Sequence, residues 1–210
     1  MTIYTEKDLP ANLMRDSTVA VLGYGNQGHA HALNLRDSGA HVVVGTRPGG
    51  SAREHAEADG FTTVGIGEAV GAADVAAVLL PDESQPDVFT GEILPNLRTG
   101  AALVFAHGFS VAFGCINPPA GSDVVLVAPK AQGHRVRSAF NEGTGVPCLL
   151  GVHQDSSGRA IERALSYAAL LGCLRAGAIL TTFRDEAVTD LFGEQAVLCG
   201  GVPGLVKAAF

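Results

Sequence analysis

From residue 18 onward, short unbroken apolar runs alternate with longer stretches in which apolar residues recur every three or four positions, as in repeated β-α units. TVAVL at 18–22 reads as a first strand, 27–38 as a helix stopped by Gly39, and HVVVG at 41–45 as a second strand. Further strands fall at 75–80, 102–105, 124–128 and 148–152, with helices between them. Runs such as VAAVLL and VVLVA do not alternate in polarity, so both faces of these strands should be covered, which predicts an α/β fold with a mostly parallel, doubly wound sheet. From Asp185 the pattern changes: DEAVTDLFGEQAVLCGG is helical in period and no strand follows it. We therefore expect a sheet domain over 1–183 and the opening of an incomplete all-α domain over 184–210, too short to bury its apolar face alone. Pro203 and Gly204 predict a helix end or kink near 198–201.

Composition narrows the partners. Apolar residues make up 47% and charged residues 17% of the 210 positions, and the formal charge is −7, from 21 acids against 14 bases. That balance speaks against a general affinity for nucleic acid or an anionic membrane, and an anionic ligand would need a local basic pocket. Cys115, Cys148, Cys173 and Cys199 form no close pair, so reduced thiols are expected and neither zinc nor a disulfide framework is suggested. The charged N-terminus lacks an apolar signal core and no run approaches a membrane span, so a cytoplasmic location is expected.

The first strand runs directly into GYGNQG, where Gly23, Gly25 and Gly28 form GxGxxG at a strand-to-helix turn. Gly23 suits the tight turn, Gly25 lets a pyrophosphate approach the backbone, and Gly28 lets helix and strand pack closely. The second strand ends in GTRPGGS, with no acid to bond a ribose 2′-hydroxyl. Arg47 there offers a fork for a 2′-phosphate, with Thr46 and Ser51 as possible hydroxyl donors, so NADP(H) is favoured over NAD(H). LLPDESQ, FAHGFS and VAPKAQGHRVRSAF each follow a strand, which would gather Asp82, Gln85, His107, Lys130 and His134 along the carboxyl edge. Asp190 and Glu194, four apart on the last helix, project from one side and suit a hard cation such as Mg²⁺, though acids at this spacing more often form a solvated face.

Taken in order, GYGNQGHAHALNLRDSG, LLPDESQ, FAHGFS, APKAQGHRVRS and TTFRDEAVTDLFGEQAVLCGG resemble the motif series of ketol-acid reductoisomerase, also called acetohydroxy acid isomeroreductase. The resemblance implies a Rossmann-type NADP-binding domain followed by a knotted helical domain. It also implies NADPH- and Mg²⁺-dependent alkyl migration and reduction of a 2-hydroxy-3-keto acid for valine and isoleucine synthesis. It places a catalytic His at His107, an active-site Lys at Lys130, and the first metal carboxylates at Asp190 and Glu194. Dinucleotide contacts fall on Tyr24, Gly25, Asn26, Gln27 and Gly28, on Arg47 and Ser51, on Asp82, Glu83, Ser84 and Gln85, and on Gly133.

The sequence departs from that pattern in several places. The family's remaining metal carboxylates and a substrate-binding Ser belong to a helical half that these residues do not include, so the chain is expected to need a longer homologous subunit or to act as an incomplete homo-oligomer. Two loop serines of the family align with Gly50 and Ala52, with Ser51 between them, while Gln132, Ala139 and Leu180 replace a Pro, an acid and a Glu. Three readings stay open: a reductoisomerase, a non-catalytic NADP-binding protein, and a reductase of another small carbonyl or imine.

Overall fold

The computed structural model describes residues 1–9 and 14–210. Its strands are β1 (Ile3–Tyr4), β2 (Thr18–Leu22), β3 (His41–Gly45), β4 (Thr63–Val64), β5 (Val75–Val78), β6 (Ala102–Phe105), β7 (Asp123–Pro129), β8 (Cys148–Gln154) and β9 (Ala178–Leu180). They form one sheet in the order β1-β9-β8-β7-β6-β5-β2-β3-β4. β2 pairs in parallel with both β3 and β5, so the winding reverses between β2 and β5, and the carboxyl ends there splay into the crevice where such sheets bind ligands. The ladder stays parallel through β5, β6 and β7, whereas β8 runs antiparallel to β7 and β1 antiparallel to β9.

Successive residues of the central strands bury into opposite faces, which is why their sequences show no alternation. Val19 and Val21 of β2 pack with the helices α1 (Asn26–Asp37), α2 (Ser51–Ala58), α6 (Gly133–Asn141) and α7 (Ala160–Leu170). Ala20 and Leu22 pack on the other side with α3 (Ile66–Ala72), the short turns α4 (Gln85–Val88) and α5 (Phe109–Ala112), and Phe183 of α8 (Phe183–Phe192). The strand expected over 75–80 stops at Val78, because the chain is turning toward Pro81, which cannot join a ladder. β1, β4 and β9 are two or three residues long, too short to show a period, and the sequence reading passes over them.

One polar group lies deep in this packing. His31, fully buried in α1, meets the Tyr167 hydroxyl at 3.0 Å through Nδ1 and leaves Nε2 without a partner. Burial drops its pKa to about 3. Below pH 6.5 the unfolded chain therefore takes up a proton that the folded chain refuses until near pH 3, so the stability from this residue falls as pH falls through that window. Unfolding in urea should show about 1.4 kcal/mol less stability per pH unit between 6 and 5 from this group, and His31→Gln should remove that slope. An unchanged slope in the variant would contradict the assignment.

After α8 the chain continues as a π-helical stretch, Gly193–Leu198, breaks at Cys199 and Gly200, and resumes as α9 (Gly201–Ala209). The break falls where Pro203 requires one, since Pro203 then sits in the first turn of α9, where its missing N–H would go unpaired in any case. Phe192, Leu198, Leu205 and Phe210 are exposed along this tail. No helix among the described residues is long and apolar enough to cross a membrane.

Candidate functional site

The three glycines of the turn after β2 divide their labour. Gly23 has φ +92°, its N–H donates to the Gly45 carbonyl at 2.9 Å, and a Cβ on it would meet the Leu79 carbonyl oxygen. A Cβ on Gly28 would strike the Gly23 carbonyl, so this glycine sets how closely α1 approaches β2. Gly25, the residue before α1, has nothing within 4 Å of a Cβ position and provides no side-chain cap. Two glycines thus shape the turn, and the third leaves its backbone open beside the positive end of a twelve-residue helix, an arrangement suited to a diphosphate.

The neighbours of the turn tie it to the rest of the edge. Asn26 Oδ1 accepts from the Gly133 N–H at 2.5 Å, and Gln27 Nε2 donates to the Ala131 carbonyl at 2.9 Å, so both side chains hold the loop between β7 and α6. Gly133 has to be glycine, because a Cβ there would run into the Asn26 backbone. Tyr24 turns inward: its hydroxyl donates to Asp59 at 2.8 Å and its ring meets Phe61 edge-on. Burial first, and then Asp59, pushes the phenol well above its ordinary pKa.

At the end of β3, Thr46 is buried, while Arg47 and Ser51 are exposed and Ser51 opens α2. After β5, Gln85 is buried and donates to the Leu80 carbonyl (2.8 Å) and Asp82 Oδ1 (3.0 Å), while its Oε1 has no partner. The Ser84 hydroxyl donates to the Pro81 carbonyl, and Glu83 is exposed.

Across the crevice, the turn after β6 and the residue after β7 converge on one carboxylate of α8. Glu186, in the first turn of α8 and fully buried, accepts from the Gly108 N–H (2.7 Å) and meets His107 Nδ1 (3.1 Å) with Oε2; its Oε1 accepts from Lys130 Nζ (2.5 Å). Lys130 also donates to Asp190 Oδ1 at 2.8 Å. Asp190 Oδ2 lies 3.7 Å from His107 Nδ1, and Asp82 Oδ2 lies 3.8 Å from His107 Nε2. The Glu186 hydrogen bond raises the His107 pKa against the opposing effect of burial. Burial pulls Lys130 down, but its bonds to Asp190 and Glu186 outweigh this and hold the ammonium above its usual range. Burial likewise pushes Glu186 up, and its bonds to His107 and Lys130 reverse the sign, keeping it ionised. Asp82 is raised, mainly by burial. The edge is thus a compact array of charges whose protonation states support one another.

The structure brings together His107, Lys130, Asp190 and Asp82. It does not bring in Glu194, which lies exposed in the π-helical stretch, nor does it join His134 to this array; His134 lines, with His29 and His55, a groove shared with Tyr24, Gly25 and Asn26 of the glycine turn. Glu186 is the residue that the sequence reading missed. Its signal was its place four residues before Asp190, which puts both acids on the same side of α8.

Oxygen donors at this edge fit a hard cation. His107, Glu186 and Asp190 place candidate ligand atoms within 4.8 Å of one another, but both oxygens of Glu186 are already engaged by N–H donors. Asp190 is then the carboxylate of the cluster least engaged by N–H donors, and Glu194 stands outside the cluster.

Comparison with known proteins bears on these features. Residues 13–177 match the family model described as acetohydroxy acid isomeroreductase, NADPH-binding domain, and residues 183–210 match ketol-acid reductoisomerase, C-terminal domain. The structure is similar to an NADH-preferring ketol-acid reductoisomerase from an uncultured archean, at 44% identity and TM-score 0.95, over 99% of this chain and 64% of that one. The chain therefore spans less than two thirds of that relative's length. A semialdehyde dehydrogenase NAD-binding protein from Cupriavidus necator, bound to calcium and NAD, shares the fold at 16% identity and TM-score 0.72, over 92% of this chain and 72% of that one. So does the 3-hydroxyisobutyrate dehydrogenase of Mycobacterium tuberculosis with L-serine, at 20% identity and TM-score 0.63, over 91% and 63%.

Proposed function

The chain belongs to the ketol-acid reductoisomerase family, and on that premise we propose that it supplies the dinucleotide-binding half, and the first part of the helical half, of an enzyme that isomerises and reduces a 2-hydroxy-3-keto acid. The domain division at 183 and 184 is part of this proposal. The observation that carries it is the array of His107, Lys130, Glu186 and Asp190, set at the carboxyl edge across from the open glycine turn.

Each residue has a task that follows from its surroundings. The amides at Gly25 to Gly28 take the diphosphate, and Arg47 with Ser51 takes the adenosine end. Asp82, Glu83, Ser84, Gln85 and Gly133 line the path between the turn and the catalytic array. Lys130 stays protonated and sets a fixed positive charge where the oxygens of the substrate gather. His107 commits Nδ1 to Glu186, so Nε2 is the ring atom that holds or passes a proton on the open side. Asp190 is the residue of the array that would hold Mg²⁺, and Glu194 would join it only with the π-helical stretch turned toward the edge. When bound, a nicotinamide supplies hydride and the ion polarises the ketone and the migrating hydroxyl.

Steady-state NADPH oxidation with 2-acetolactate and Mg²⁺ tests the proposal, the chain being supplemented with a helical half supplied in trans. Turnover that depends on both the supplement and Mg²⁺ is expected. NADPH binding without turnover in the complemented assay would contradict it. A second reading, NADH preference, is favoured by the preference of the archaeal relative and by Gly50 and Ala52 in the loop after β3.

A further inference from the structure

The loop between β3 and α2 holds a second guanidinium. Arg53, in the first turn of α2, is half-buried, and its Nε donates to the Thr46 hydroxyl at 3.4 Å. Thr46 is itself buried and immediately precedes Arg47, so the guanidinium of Arg53 is tethered beside the backbone that carries Arg47. The Arg53 N–H donates to the Gly50 carbonyl at 2.9 Å, which closes the turn from Gly50 into α2.

Most arginines of the described chain lie within ion-pair distance of a carboxylate. Among the described residues, neither Arg47 nor Arg53 has one, and the stretch from Thr46 to Arg53 contains no acid. Arg47 and Arg53 share this lack of an ion-pair partner with Arg184, which lies instead over the Phe113 ring. In a chain of net charge −7, a guanidinium on the loop and a second in the first turn of α2, neither within ion-pair distance of an acid although Glu54 follows Arg53 in sequence, are a local excess of positive charge suited to an anion. A phosphoryl group offers three oxygens and close to two charges. One guanidinium engages two oxygens side by side, which leaves the third for a second donor.

Resting on the reading that the glycine turn holds a nicotinamide dinucleotide, we propose that Arg53, anchored by Thr46, is a specificity-determining residue for a 2′-phosphate. It acts as the second arm of a clamp with Arg47, in a loop where Gly50 and Ala52 carry no hydroxyl. Ser51 and the first amides of α2 complete the cradle.

Calorimetric titration of NADPH and NADH into the wild type, Arg53→Gln, Arg53→Lys and Thr46→Val, each checked for an unchanged melting temperature, tests this. Loss of one charged hydrogen-bonding arm should raise the Kd for NADPH about tenfold in Arg53→Gln and leave NADH within about twofold. Arg53→Lys should recover part of the loss, and Thr46→Val should weaken NADPH by a smaller factor than Arg53→Gln. Equal weakening of both dinucleotides, or no change in either, would overturn the proposal while leaving the glycine-turn reading intact. A wild type that binds neither would overturn that reading and the proposal with it. Adenosine 2′,5′-bisphosphate against AMP repeats the comparison without the nicotinamide half, and selectivity that survives Arg53→Gln there would also overturn the clamp.

Discussion

Glu186→Ala should abolish turnover in the complemented assay while leaving NADPH binding within about twofold, because this carboxylate joins three catalytic-edge groups but is remote from the glycine turn. The alanine leaves the buried Gly108 N–H unpaired, frees the His107 ring, and reduces the partners of Lys130 to Asp190. Removing one member of a buried pair typically costs about 3–5 kcal/mol. Lys130 is about one-third exposed and keeps a second carboxylate, so about 2–3 kcal/mol is the expected loss in urea unfolding. Catalysis should suffer more, by at least roughly a hundredfold, since a misplaced proton carrier and a misplaced charge both act on the same reacting atoms. Glu186→Gln keeps the shape but loses the charge, and the His107 pKa followed by NMR should fall from its raised value, as Glu186 is the largest cause of that rise. A His107 titration unmoved in both variants would show that the carboxylate does not govern the ring.

Gly25→Val separates folding from ligand binding in the same way at the opposite side of the crevice. Gly25 has a negative φ of −85° and open space around its Cβ position, so a side chain there should fold with little penalty. That space is where a diphosphate would lie against the backbone, and the branched side chain should weaken NADPH at least about a hundredfold by forcing the charge away from the α1 amides. Gly28→Ala is the contrast: its Cβ strikes the Gly23 carbonyl, so the turn itself must deform and stability should fall with binding. If Gly25→Val bound NADPH as the wild type does, the diphosphate would have to sit elsewhere.

Much of this was legible in the chain because the central strands are buried on both faces and therefore unbroken in the sequence. TVAVL, VAAV and ALVF announce themselves, and the reversal of winding places their carboxyl ends together. What escaped depends on tertiary contact. Glu186 follows Asp185 on a helix whose acids resemble a solvated face, and only the packing of α8 over the Gly108 turn, where a Cβ would strike the Phe183 carbonyl, buries it. Glu194 shows the converse. Its pairing with Asp190 assumed an uninterrupted α-helix, but the chain passes into i→i+5 bonding after Phe192, with the Cys199 N–H donating to the Glu194 carbonyl at 2.6 Å, and Glu194 stays exposed. His134 was placed at the carboxyl edge by its distance from β7 alone, whereas α6 starts at Gly133 and carries it into the groove beside α1.

Titrating NADPH into the isotopically labelled chain and following its backbone amides by NMR tests the central claim most directly. The account predicts that the amides of Gly25 to Gly28, of Thr46 to Arg53 and of Asp82 to Gln85 shift together and saturate at one concentration. Shifts confined to other parts of the chain, with the amides of Gly25 to Gly28 unmoved, would contradict it.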